Sequence, residues 1–149
     1  KIEEKINESI KDSMKKKDNV RLDSLRAIKS AILIEKTKSG SKDHIEESVI
    51  LKILQKMVKQ RNDSAKIYLE QKRDELANVE ISQANIISEF LPAQLSESDL
   101  SEIIDKVITD IGADSMKDMG KVISVVTEKV SGQAEGRVIA EIVKRKLMN

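Results

Sequence analysis

The sequence predicts an all-α fold: an N-terminal domain of about four helices over residues 1–92, then a small three-helix tail over 93–149. Three observations predict it. Apolar residues recur at spacings of three and four through nearly the whole chain, the period of a helix with one buried face. One proline and five glycines in 149 residues leave few turns, so the elements between them are long. Charged residues make up 36% and aromatic residues 1%, a balance that suits salt-laced helices with narrow buried stripes and starves a sheet of its usual residues.

Ile2, Ile6, Ile10 and Met14 mark the apolar face of the first helix. Asp18 reads as an N-cap for a second helix, which carries Leu22, Leu25, Ile28, Ile32 and Leu33 to a stop at Ser39-Gly40-Ser41. A long third helix runs from about Glu46 through Ile50, Ile53, Leu54 and Met57 toward Tyr68. It breaks near Lys72-Arg73-Asp74, where Asp74 caps a fourth helix bearing Leu76, Val79, Ile87, Phe90 and Leu91. Pro92 disfavours helix at Leu91, and Ser96 with Asp99 resembles a capping box, so the domain boundary falls here. The tail then shows Leu100 to Ile111 closed by Gly112, Val122 to Val130 closed by Gly132, and Val138 to Leu147. Valine and isoleucine abound in it, yet helical spacing beats strand alternation in all three segments.

Polar residues that interrupt these stripes are the candidates for something other than packing. Arg61 falls in the apolar arc of the third helix, and Glu80 and Gln83 fall in that of the fourth. A buried charge costs several kcal/mol without a partner, so Arg61 is expected to pair with Glu80 across the seam. Basic residues gather at Arg21, Arg26 and Lys29 on the second helix, at Lys15-Lys16-Lys17 before it, and at Lys144, Arg145 and Lys146 on the last. The terminal group also suits a helix C-terminus electrostatically. Asp118-Met119-Gly120-Lys121 reads as a helix start whose open amides could meet an anion, although close helix packing explains Gly120 as easily.

Other chemistry is narrowed by composition. There is no cysteine and a single histidine, His44 in a polar connection, which removes disulfides, thiolate chemistry and cysteine- or histidine-rich metal sites. No cofactor and no metal is expected. No apolar run reaches the ~20 residues of a membrane span, no signal-peptide pattern opens the chain, and the reducing cytoplasm is the expected compartment. With 27 basic and 26 acidic residues the net charge is +1, so only a local cluster could draw nucleic acid.

The segment from Arg21-Leu22-Asp23-Ser24-Leu25-Arg26 to Lys29-Ser30-Ala31-Ile32 resembles the opening signature of the YqeY-like family. Lys59-Gln60-Arg61-Asn62-Asp63-Ser64, Leu76-Ala77-Asn78-Val79-Glu80 and Phe90-Leu91-Pro92-Ala93-Gln94-Leu95-Ser96 continue the likeness. Lys117-Asp118-Met119-Gly120-Lys121-Val122 and Gly132-Gln133-Ala134-Glu135-Gly136-Arg137 are similar to the tail domain of the GatB subunit of tRNA-dependent amidotransferase. The resemblance implies a helical domain joined to a GatB/YqeY-type tail, the tail being associated with tRNA while transferase chemistry resides in domains absent here. The family label implies a carbon–nitrogen ligase with glutamine as amido-N-donor. Three positions depart from the family pattern: Gln83 stands where Glu is usual, Lys72 where Gly is usual, and Glu135 where Asp is usual.

Three functions follow as expectations. The first is a stand-alone accessory module, not catalytic by itself, that binds tRNA or a translation-related partner such as an amidotransferase. Its candidate contacts are Arg21, Arg26, Lys29, Gly120, Lys121, Arg137, Lys144 and Arg145. The second is a helical protein–protein adaptor without nucleic acid. The third is the ligase of the family label. Sparse aromatics disfavour single-strand recognition, which stacks bases on rings, so any RNA binding would rest on shape and phosphates.

Overall fold

The structure, a computed structural model, describes residues 1–40 and 44–148. Among the described residues it holds seven α-helices and one short 3-10 turn, with no strand. The chain divides into two compact units, Lys1–Leu91 and Pro92–Asn149.

The first unit contains α1 (Ile2–Lys16), α2 (Asn19–Ser39), α3 (Glu47–Glu70) and α4 (Asp74–Ser88). Asp18 caps α2 as its side chain accepts from the Arg21 amide at 3.1 Å. Gly40 adopts φ 75° past the end of α2, as its position suggested, while Ser41 lies outside the described residues. Asp74 is a correction: it is the first residue of α4, whose cap position is Arg73, and no side-chain cap bond forms. Its carboxylate and that of Glu75 instead sit in the first turn, where they favour the positive end of the helix dipole. Ile6, Leu25, Ile28, Ile32, Ile50, Leu54, Met57 and Ile87 form one core drawn from all four helices.

Met14, Leu33, Leu76 and Val79 were expected in that apolar face and are exposed. A helix turns about 100° per residue, so a strict spacing of four drifts off the buried line. On α1 the heptad partner of Ile6 is Ser13, which is buried, its hydroxyl without a hydrogen-bond partner, while Met14 turns outward. On α4 the buried positions are Ala77, Ala84 and Ile87, not Leu76 and Val79. Small buried residues there, with Ala65 on α3, suit close packing of the α3–α4 pair, the most extensive helix contact among the described residues.

The second unit contains α5 (Glu97–Ile111), a 3-10 turn (Met116–Asp118), α6 (Met119–Lys129) and α7 (Gly136–Met148). Ser96 caps α5 by accepting from the Asp99 amide at 3.1 Å. Its separate core joins Leu100, Ile104, Val107, Val122, Val126, Val130, Ile139, Ile142, Val143 and Leu147.

Three helices end in the same two-bond C-terminal motif. At the end of α3 the Arg73 amide donates to the Tyr68 carbonyl at 2.8 Å, and the Lys72 amide donates to Leu69 at 3.0 Å. The motif needs a left-handed residue between these bonds; Gly112 supplies it after α5, whereas Lys17 (φ 56°) and Lys72 (φ 60°) do so after α1 and α3. A side chain in that conformation costs about 1–2 kcal/mol relative to the right-handed one. Lys72→Gly is therefore expected to raise unfolding stability by about 0.5–1 kcal/mol after the extra unfolded-state entropy of glycine is counted. Urea denaturation checks this, and a destabilised variant would show that the Lys72 stem makes contacts worth more than its strain.

Candidate functional site

Most of the polar residues that stand out in the sequence are used to hold the fold. Arg21 reaches from the start of α2 to Glu89, just past α4, with Nη1 and Nη2 donating to the two carboxylate oxygens at 2.8 and 2.9 Å. This bidentate fork spans 68 residues of sequence and ties α2 to α4. The bond to Glu89 raises the Arg21 pKa above the ordinary arginine value, against a smaller opposing effect of burial. Because the folded value is the higher one, the arginine's contribution is complete below the unfolded value and fades only as pH rises through the folded one. Arg21 thus offers little free charge to a ligand.

Arg61 does not pair with Glu80. Its Nε donates to Gln83 Oε1 at 3.0 Å and its Nη1 to the Met57 carbonyl at 3.3 Å, and no ion pair joins it to Glu80. The reason is register: α3 and α4 are antiparallel about the turn at Lys72, which stands midway in sequence between 61 and 83. Residue 80 is one turn too near the tip. Both Arg61 and Glu80 are half-buried rather than sealed in the seam, so solvent shares the work of neutralising them.

In the second unit, two of the quoted motifs meet each other. The Leu95 amide donates to the Gln133 carbonyl at 2.9 Å, and Gln94 Nε2 donates to the Gly132 carbonyl at 2.8 Å. Gln133 Nε2 returns to the Ala93 carbonyl at 3.3 Å. Gly132, at φ 79°, makes the bend that presents these groups. The segment Ala93-Gln94-Leu95 is thereby clamped to the loop before α7 by reciprocal glutamines, a role sequence reasoning missed because two distant glutamines leave no periodic signal. Arg145 lies 3.1 Å from Glu97, Lys146 2.7 Å from Asp105 and Arg137 3.6 Å from Glu141. Arg137 and Arg145 are therefore exposed but already partly neutralised.

Other cations have no acidic partner among the described residues. On α2 these include Arg26 and Lys29, exposed and three residues apart on one face. In the tail they include Lys117, Lys121 and Lys144. Gly120 is exposed, and a Cβ built on it would meet no heavy atom within 4 Å, which removes close packing as its explanation. The 3-10 turn before it packs against α7, bringing the α6 start to the helix that carries Lys144. Asp118 at this start is occupied, accepting from the Asp114 amide at 3.2 Å. His44 is exposed, and among the described residues no group of three His, Cys, Asp or Glu side chains is placed to hold a metal. Among the described residues no helix is long and apolar enough to cross a membrane.

Comparison with known proteins fits this arrangement. A family model described as Yqey-like protein matches residues 3–147. The chain belongs to the YqeY-like family. Among YqeY-like relatives, a Clavispora lusitaniae protein named Altered inheritance of mitochondria protein 41, mitochondrial, is 33% identical over 106 residues, 70% of this chain and 61% of that protein. The Kluyveromyces lactis protein of the same name is 26% identical over 71% of this chain and 58% of its own length. The matched region thus spans about three-fifths of these curated relatives. Their names overturn the cytoplasmic expectation: cysteine poverty suits any reducing compartment, so it never singled out the cytoplasm.

For this YqeY-like chain the Arg21–Glu89 fork is the polar contact with the clearest energetic consequence. With the arginine side chain 26% exposed and the glutamate 50%, solvent discounts it to a coupling of about 0.5–1 kcal/mol. A double-mutant cycle with Arg21→Met and Glu89→Gln, read by urea unfolding at low and high salt, is expected to give that value and to lose part of it in salt. A coupling of zero would mean that the fork is geometric coincidence.

Proposed function

We propose that this chain is a GatB/YqeY-like accessory module, not catalytic by itself, whose tail unit engages folded RNA of the tRNA kind. The observation that carries the reading is the exposed start of α6: Gly120 open to solvent, with Lys117 and Lys121 beside it and Lys144 on the helix that the preceding turn touches. The positive end of a helix dipole together with ammonium groups that lack acidic partners favours phosphate oxygens. The likeness of this segment to the amidotransferase tail domain supports the same assignment. Of the other candidates, Arg21 and Arg145 are committed to carboxylates, so they contribute less.

The tail as a whole carries eight basic and ten acidic residues, so binding through it is weak and local. The three lysines of the α6 start and α7, Lys117, Lys121 and Lys144, correspond to a log–log salt slope of about −2 to −3, at roughly 0.9 per phosphate. A second reading, the protein–protein adaptor, is favoured by the exposed Leu33, Ile34, Leu76 and Val79 of the first unit.

Filter binding of total tRNA at several salt concentrations tests the RNA reading. Lys121→Glu with Lys144→Glu is expected to weaken binding by about tenfold and to flatten the slope. Undetectable or salt-independent binding contradicts it. Glutamine hydrolysis by the isolated chain would overturn the non-catalytic half.

A further inference from the structure

A groove of about 100 Å³ runs between α1 and α2, lined by Glu3, Ile6, Asn7, Lys29, Ile32, Leu33 and Lys36. Its base is aliphatic: Ile6 and Ile32 are buried core residues, and Leu33 stands beside them 62% exposed. Glu3 and Lys36 close one end with a 2.8 Å ion pair, so that end is neutral. Lys29 on the rim has no acidic partner, and neither has Arg26 one turn back on the same exposed face of α2.

We infer that this groove docks an acidic amphipathic helix of a partner protein, with an aliphatic anchor seated against Ile6, Ile32 and Leu33 and carboxylates on Lys29 and Arg26. The inference rests on the adaptor reading and gives it a place and a partner chemistry. The volume suits one aliphatic side chain, being smaller than a cavity of about 150 Å³ that holds a benzene ring. Two cations one helical turn apart match carboxylates at the same spacing on a facing helix. RNA fits poorly, since the lining is aliphatic and has no ring on which a base could stack. The pocket is too short for the acyl chain of a lipid.

The test is a titration of isotope-labelled full chain with a designed helical peptide bearing leucines on one face and glutamates flanking them. A second peptide carries lysine in place of every glutamate. Shifts are expected at Ile6, Asn7, Lys29, Ile32 and Leu33, with the acidic peptide bound at least tenfold more tightly than the basic one. Leu33→Glu removes the exposed anchor wall and is expected to weaken binding by about tenfold. Lys29→Glu is expected to weaken the acidic peptide and improve the basic one. Both side chains are exposed, so the variants keep the fold, which unchanged amide shifts of α3 and α4 in the same unit check. No shift at the groove, or equal affinity for the two peptides, overturns the inference. Peptide binding mapped instead to Leu76 and Val79 overturns the groove while leaving the adaptor reading standing. Displacement of groove shifts by tRNA or by anionic vesicles in place of the peptide also overturns it.

Discussion

Close approach of α3 and α4 is the constraint on which the first unit depends. Ala65, Ala77 and Ala84 are all buried in this unit, and alanine at a helix contact lets two backbones come nearer than leucine would. The pair in turn presents Ile50, Leu54, Met57 and Ile87 as the apolar wall against which α1 and α2 complete a core. Arg61 reaches Gln83 because the antiparallel register is set by the turn at Lys72, and Arg21 reaches Glu89 because α2 lies beside α4. Polar contacts in this unit therefore read out a geometry that apolar packing and one strained turn impose.

Function then becomes a question of what is left over. Residues of the family-like motifs are spent on clamps and ion pairs: Gln94 and Gln133 on each other's backbone segments, Arg21 on Glu89, Arg61 on Gln83. Among the solvent-facing features that remain, two differ in character. The tail offers an exposed helix start with Gly120 and lysines beside it. The α1–α2 side offers an aliphatic slot with Lys29 on its rim and Arg26 one turn away, which suits a helix. One chain can serve both if it brings a protein partner to an RNA.

The fold was legible because helical period is a strong signal over long segments, and because Asp18, Gly40, Ser96 and Gly112 mark helix ends through chemistry that acts locally. On α4 the misplacement has one cause: hydrophobicity alone picks out Leu76 and Val79, but a tight helix pair prefers the smaller side chains of Ala77 and Ala84. The Arg61 partner was missed because helical angle fixes which face a residue occupies, whereas register across a hairpin depends on where the turn falls. The Gln94–Gln133 clamp was illegible for a related reason: loop-to-loop hydrogen bonds obey no period. Charge clusters were visible, but which cations are already neutralised depends on tertiary neighbours such as Glu89 and Glu97.

The importance of the α3–α4 approach is open to a direct measurement. Ala84→Leu places extra volume where the small residue is 2% exposed, and overpacking of this kind typically costs about 1–3 kcal/mol. Residue-resolved amide hydrogen exchange of this variant is expected to show reduced protection across α2, α3 and α4, with Ile104, Val126 and Val143 in the tail unchanged. Protection of α3 and α4 equal to that of the parent chain would contradict the account, since the pair would then tolerate a spacing that its alanines do not require.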